Sequence, residues 1–397
     1  MRSKIILALL FAVIVSVVFF HQILKGYLPF PGDLLVGNQE PYKSYSYQGF
    51  APGAVPNKAQ GPDVIKQLVP WKKFVTESLK KGQIPFWDPY NFSGNPLMAN
   101  FQSGVFYPLN LMFITLSFPN AWTIYIVLTP ILSIIFMYLF LDRFNLKPAA
   151  SLLGGISFAF CLYMVVWMEY GNIGHTLLWL PLILYFTDRF IEKPTRINFL
   201  GIFLASLLSI LAGYIQGFFY IYAVVVIYYF VKSISIKKIK TNNTVVFLLG
   251  LLFPVLVAAP QILLTLGLFG YSTRGNYTLE QIQKNLNPIY YLVTTIIPDF
   301  FGNPASRNFW FDGTYIERVS YFGLIPFVFA IFAISTLFKK IEVKIFSILF
   351  IFTLFISTDF FITRFFYLIP IPVISTTVAT RILSVFSFCG AILAAFG

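Results

Sequence analysis

Long apolar runs broken by short polar turns dominate the chain. They fall at 5–20, 119–141, 149–168, 176–191, 197–213, 215–231, 244–266, 319–338, 344–358 and 382–397. Most are close to the roughly 20 residues a helix needs to cross about 30 Å of hydrocarbon. The pattern predicts an all-α, polytopic transmembrane bundle of about ten spans, forming a single membrane domain over 1–397. The run 105–118 carries Pro108 and Asn110 and predicts a re-entrant or interfacial segment. Met1-Arg2-Ser3-Lys4 precedes the first run, and no small-x-small cleavage site follows, so that run reads as an uncleaved signal anchor.

Charge orients these spans. Alternate turns hold Arg143 and Lys147; Arg189, Lys193 and Arg196; Lys232, Lys237, Lys238 and Lys240; and Lys339, Lys340 and Lys344. The turns around Tyr170 and Gly213 hold no Lys or Arg. This is the positive-inside asymmetry, and it predicts a plasma-membrane protein with a cytoplasmic N-terminus. Most carboxylates, among them Asp33, Asp63, Asp88, Glu169, Asp299 and Glu317, then map outside. Two outer segments, 24–104 and 267–318, are too long for turns, and 359–381 is Pro-rich enough to dip back into the membrane. Ordered loops of that length tend to carry function.

Within the first loop, Pro70 predicts a helix start and Gly82 its stop. Trp71, Phe74, Val75, Ser78 and Leu79 repeat at helical spacing, with Lys72, Lys73, Glu77, Lys80 and Lys81 on the other face. That is the pattern of an amphipathic helix lying on a membrane surface, its lysines toward lipid phosphate.

Composition removes the soluble alternatives. The 397 residues are 58% hydrophobic and only 11% charged, and mean hydropathy is +0.78. A soluble chain would be about one quarter charged. The net charge of +13 therefore reads as helix-end lysines and arginines, not a nucleic-acid surface. Two cysteines in apolar runs imply no disulfide framework, and two distant histidines exclude a His-rich metal centre. No Asp, Glu, Lys or Arg falls mid-span, which argues against a proton-coupled transporter and places ionisable chemistry at the outer interface.

From Ile84 to Asn110 aromatics alternate with amides, glycines and prolines, as in Phe86-Trp87-Asp88-Pro89-Tyr90-Asn91. Such a mix suits a rigid wall that stacks on sugar faces and bonds hydroxyls, and it equally suits an interfacial aromatic belt. The string Asp63-Val64-Ile65-Lys66-Gln67-Leu68-Val69-Pro70-Trp71, with Pro31-Gly32-Asp33, Gly82-Gln83-Ile84-Pro85-Phe86-Trp87 and Ala99-Asn100-Phe101-Gln102-Ser103-Gly104, resembles the YfhO-like bacterial membrane protein family. Weaker pieces follow: Trp179-Leu180-Pro181-Leu182, Ala212-Gly213-Tyr214-Ile215-Gln216, Tyr321-Phe322-Gly323-Leu324 and Thr380-Arg381.

The resemblance implies a GT-C type membrane glycosyltransferase. Such a protein moves a sugar from a polyprenyl-phosphate carrier to an envelope polymer, lipid or protein on the outer face. Family members run longer than 397 residues, so a truncated member is the expectation. At Asp88 the pattern more often carries an amide, so no catalytic role is implied there. The expected catalytic bases are Asp33, closest behind the first span, and then Asp63. Gln67, Trp71, Trp87, Asn100, Gln102, His175, Gln216, Arg318 and Arg381 are the expected substrate-binding residues, the arginines (with Arg307 and Arg364) to meet phosphate. For His175 a hydrogen-bonding role is favoured over metal ligation. Metal dependence is open; Glu169 or Asp299 would join Asp33 around a divalent cation. The partners implied are membrane lipids, the lipid-linked donor and the acceptor, with no nucleic acid. A lipid-linked-sugar transporter and a non-catalytic partner in envelope assembly remain alternatives.

Overall fold

The computed structural model describes residues 2–55, 61–91, 93–272, 275–370, 373 and 375–397. Every long apolar run forms helix, and the described residues contain isolated bridges but no strand. Among the described residues three helices, Phe118–Asp142, Ile215–Ser235 and Ala379–Phe396, are long and apolar enough to cross a membrane; counting each of two bent pairs as one span makes five.

Those bends correct two expected straight spans. The run 149–168 is Pro148–Ala159 followed by Leu162–Met168 at 49°, and 244–266 is Thr241–Val257 followed by Ala259–Phe269 at 65°. Pro254 and Pro260 flank the second bend, where a proline removes a helical hydrogen bond and opens the ladder. At the first bend the freed Leu162 N–H donates to Tyr321 O at 2.8 Å, as a backbone group in an apolar setting must. The second half of the 244–266 pair turns onto the first loop, and Thr265 Oγ1 donates to Ala99 O at 2.8 Å. The run 176–191 is also broken, into Asn172–Leu177 and Leu180–Glu192.

Leu383–Phe396 is the centre of the bundle, buried from Leu383 to Ala395. Pro148–Ala159, Leu324–Leu337 and Ile341–Ile356 pack around it. Small residues permit that approach: a Cβ at Gly390 would come within 2.5 Å of the Phe322 ring, and one at Gly154 within 3.0 Å of Ala391 O. Phe350 stacks on Phe386 at 4.2 Å, and Phe388 meets Phe158 edge-on at 5.2 Å.

The basic turns gather at one end, where Lys4, Arg143 and Lys232 are paired with carboxylates. Lys4 lies 3.8 Å from Asp142, so the N-terminal helix starts at this end too. Asp188, 1% exposed, accepts from Arg143 at 2.9 Å, from Tyr228 at 2.7 Å and from Lys232. Arg143 also reaches Glu192 at 2.5 Å and Lys232 reaches Glu342 at 3.0 Å, so ion pairs tie four helices together. The two long loops fold over the opposite end.

Candidate functional site: a polar cavity at the loop end

The first loop approaches the bundle through Val64–Leu68, a π-helical turn that runs directly into Val69–Lys80. Such turns are frequent at functional sites. Here the turn presents Asp63 and Gln67 on one side while Val64, Ile65 and Leu68 are buried on the other. Further on, Asn100 accepts from Gln102 N at 3.2 Å and shapes the Phe101–Ser103 turn. That turn lies directly on Gly213, where φ is +101° and a Cβ would stand 2.8 Å from Phe101 O. A side chain there would be strained and would push the turn away. Gln102 is thereby held beside Tyr214, and its Oε1 accepts from Asn172 at 3.3 Å.

These segments and the second loop enclose a cavity of about 510 Å³, lined by Asp63, Gln67, Gln102, Trp167, Tyr170, Tyr214, Glu317 and Arg381, among others. On its floor Arg381 donates to both oxygens of Glu317, at 2.7 and 2.5 Å. The guanidinium lies 5.3 Å from the Trp167 ring and 5.9 Å from the Tyr214 ring. Gln216, 2% exposed, backs it at 3.4 Å and is itself fixed on Tyr220 (2.8 Å) and Val378 O (3.0 Å). Trp167 Nε1 donates to Ile316 O at 3.1 Å, which ties the aromatic wall to the loop carrying Glu317. Burial raises the Tyr170 hydroxyl above its ordinary value, and the nearby charges of Glu169, Asp63 and Glu317 raise it further.

Of the expected site residues, Asp63, Gln67, Gln102 and Arg381 meet in this cavity, with Gln216 just behind it. The others are elsewhere. Asp33 is half-buried ahead of the short helix Leu34–Asn38 and is not among the lining residues. Trp71 packs against the bundle core. Trp87 is 54% exposed beside Gly94. Asn100 shapes backbone. His175 is fully enclosed: Tyr107 OH is 3.0 Å from Nδ1, Tyr125 O is 2.8 Å from Nε2, and the Tyr125 ring stacks on it at 3.8 Å. Arg318 is buried and donates to Leu286 O at 2.7 Å, to Asn287 Oδ1 at 3.0 Å and to Lys284 O, so it holds the second loop and is not a free phosphate ligand. Arg364 is bound on two nitrogens to Asp359, and Arg307 donates to Val55 O.

Asp88 accepts from Tyr90 N and Asn91 Nδ2 inside a turn, a structural use. Among the described residues no group of three or more His, Cys, Asp or Glu is placed to hold a metal ion. Sequence reasoning missed Glu317, Tyr170, Tyr214 and Trp167. Glu317 was visible only as one outer carboxylate among many, and the three aromatics had no distinguishing spacing.

The amphipathic helix also needs correction. Lys72 does not face lipid phosphate; its ammonium turns inward, donates to Asn110 Oδ1 at 2.7 Å and lies 4.2 and 4.9 Å from the Tyr125 and Phe113 rings. Thr76 is buried on the same side.

No family model matches the chain, and neither a curated protein nor a solved structure does.

Proposed function

We propose that the chain is a plasma-membrane glycosyltransferase of GT-C type, similar to the YfhO-like family. In this reading it has about ten spans, a cytoplasmic basic end and an outward-facing loop end. The observation that carries the proposal is the cavity itself. Aromatic walls, the amides of Gln67 and Gln102 and the carboxylates of Asp63 and Glu317 converge there, beside an apolar bundle that would hold the donor's prenyl tail in the bilayer. The cavity has the size of a small-molecule site, and its lining is more polar than is usual for one, which suits a ligand rich in hydroxyls.

Asp63 is the base in this reading, replacing Asp33, because Asp63 lines the cavity. It takes the proton of an acceptor hydroxyl as that oxygen bonds the anomeric carbon. The bond from that carbon to the phosphate oxygen breaks, and polyprenyl phosphate leaves with the electron pair. Glu317 and Arg381 hold the ring hydroxyls in place, and Gln67 and Gln102 complete the polar lining.

The test is transfer from radiolabelled polyprenyl-phosphate sugars in membranes containing wild type, Asp63→Asn or Asp33→Asn at matched levels. Asp63→Asn is expected to lose about 10²–10⁴-fold, the usual worth of a positioned base, while Asp33→Asn retains activity. Full activity in Asp63→Asn refutes the assignment. A folded wild type inert toward every donor favours the non-catalytic role in envelope assembly.

A further inference from the structure

Beside the cavity the second loop forms a larger cleft of about 1050 Å³, and Thr314 and Glu317 line both. The cleft exceeds what a single small molecule needs, since ligand pockets run to about 1,000 Å³ for drug-sized molecules. Its wall is an aromatic platform. Trp310 is 69% and Tyr290 62% exposed, and both rest on Phe301, which is buried and lies 5.0 Å from the Trp310 ring and 6.0 Å from that of Tyr290. The platform is preformed: Trp310 N donates to Phe301 O at 3.1 Å, and Arg318 clamps the neighbouring loop carbonyls.

The charges of this cleft point to the ligand class. Among the described residues, each cation at its edge is already engaged. Lys284 pairs with Glu280 at 3.0 Å, Arg364 with Asp359 at 2.6 Å, Arg381 with Glu317 at 2.5 Å, and Arg318 is committed to loop oxygens. Among the described residues a polyanion would find carboxylates and no cation without a partner, and like-charge contacts of this kind suppress wrong partners. By contrast Gln283, Asn285 and Asp312 offer neutral or hydroxyl-accepting groups. Thr380 supplies an independent pointer. It lines the cleft, is 0% exposed, and its Oγ1 has no hydrogen-bond partner among the described residues. A buried hydroxyl without a partner is uncommon and calls for an explanation.

We propose that this cleft binds a neutral saccharide chain, with Trp310 and Tyr290 as its stacking platform and Thr380 as a buried hydrogen-bonding group. Its shared wall with the cavity makes that chain the acceptor, and in this respect the inference rests on the transferase reading. Stacked aromatics give such a chain area at little entropic cost, and the polar groups fix its register.

The test is calorimetric binding to the full chain in lipid nanodiscs, with maltotetraose, cellotetraose, chitotetraose and polyglycerol phosphate as probes. At least one neutral tetrasaccharide is expected to bind. Trp310→Ala should weaken it about tenfold or more, as loss of a central aromatic anchor does, and the near-isosteric Thr380→Val about threefold or more. Thermal melts confirm that both variants fold. No binding of any neutral probe, preferential binding of polyglycerol phosphate, or unchanged binding in both variants overturns the proposal. Saccharide binding without any sugar transfer leaves this site standing and removes the transferase reading alone.

Discussion

Replacing Lys72 by methionine tests the inward turn of the first-loop helix. Burial pulls the Lys72 ammonium from 10.5 down to about 7. In the unfolded chain the same group stays charged up to 10.5, so between pH 7 and 10.5 the unfolded state binds more protons and stability rises with pH. The folded-state penalty is fully present below pH 7 and fades as the pH climbs. Each pH unit in that window is worth about 1.4 kcal/mol, and the whole window about 5 kcal/mol. Methionine has nothing to titrate and removes this dependence. Below about pH 7, where Lys72 is charged, it also forfeits the cation contacts with the Tyr125 and Phe113 rings, about 1–2 kcal/mol, and at every pH it leaves Asn110 Oδ1 without its donor, about 1–3 kcal/mol. Lys72→Met should therefore be modestly more stable than wild type at pH 6 and less stable at pH 9.5. The difference between the two proteins should move by about 3 kcal/mol across that range. Unfolding in a zwitterionic detergent, followed by tryptophan fluorescence at a series of pH values, measures it. A difference constant to within about 0.5 kcal/mol would mean that the ammonium is solvated, and the inward placement would fall.

Two other ion pairs make comparable claims. In a double-mutant cycle, Arg381→Met and Glu317→Gln should each destabilise by about 2–3 kcal/mol, somewhat under the 3–5 of a fully buried pair because the side chains keep 21% and 15% of their exposure; a coupling near zero in thermal melts would show that the pair does not hold the cavity floor. Asp188→Asn, by leaving Lys232 and Arg143 short of their shared buried carboxylate, should cost about 3–5 kcal/mol, and a melting temperature equal to wild type would remove the clasp at the basic end from the stability argument.

Apolar runs and charge asymmetry made the helices legible because both are local signals. The turns Arg143, Lys232 and Lys4 do converge on one end, where the expected asymmetry placed them. What the pattern did not carry was any relation between distant segments. Lys72 occupies the charged side of its own helix by spacing, yet Asn110, 38 residues away, and the Tyr125 ring supply an inward site for it. Asp33 was favoured by its distance from the first span, a one-dimensional measure. The cavity is instead assembled from the turn at 61–67, the turn at Gln102, the 167–173 stretch, and the loop that brings Glu317 to Arg381 over 64 residues. The bend at Ala258 was foreshadowed by Pro254 and Pro260, but an apolar run alone does not separate a bent span from a straight one.

The charges of the cavity constrain how a lipid-linked sugar would lie in it. Arg381 was expected to meet phosphate, but its guanidinium is bound to both oxygens of Glu317 and backed by Gln216. A phosphodiester entering the cavity would face Asp63 and Glu317, with the one cation among its described lining residues already neutralised, and the local potential would oppose it. A sugar ring meets no such opposition. Trp167, Tyr170 and Tyr214 offer faces, and Gln67, Gln102 and the two carboxylates accept or donate to hydroxyls. The favoured arrangement places the sugar inside and the phosphate at the mouth. On the transferase reading, Asp63 would then meet the hydroxyl of an acceptor arriving from the larger cleft, and the departing phosphate would leave away from the two carboxylates.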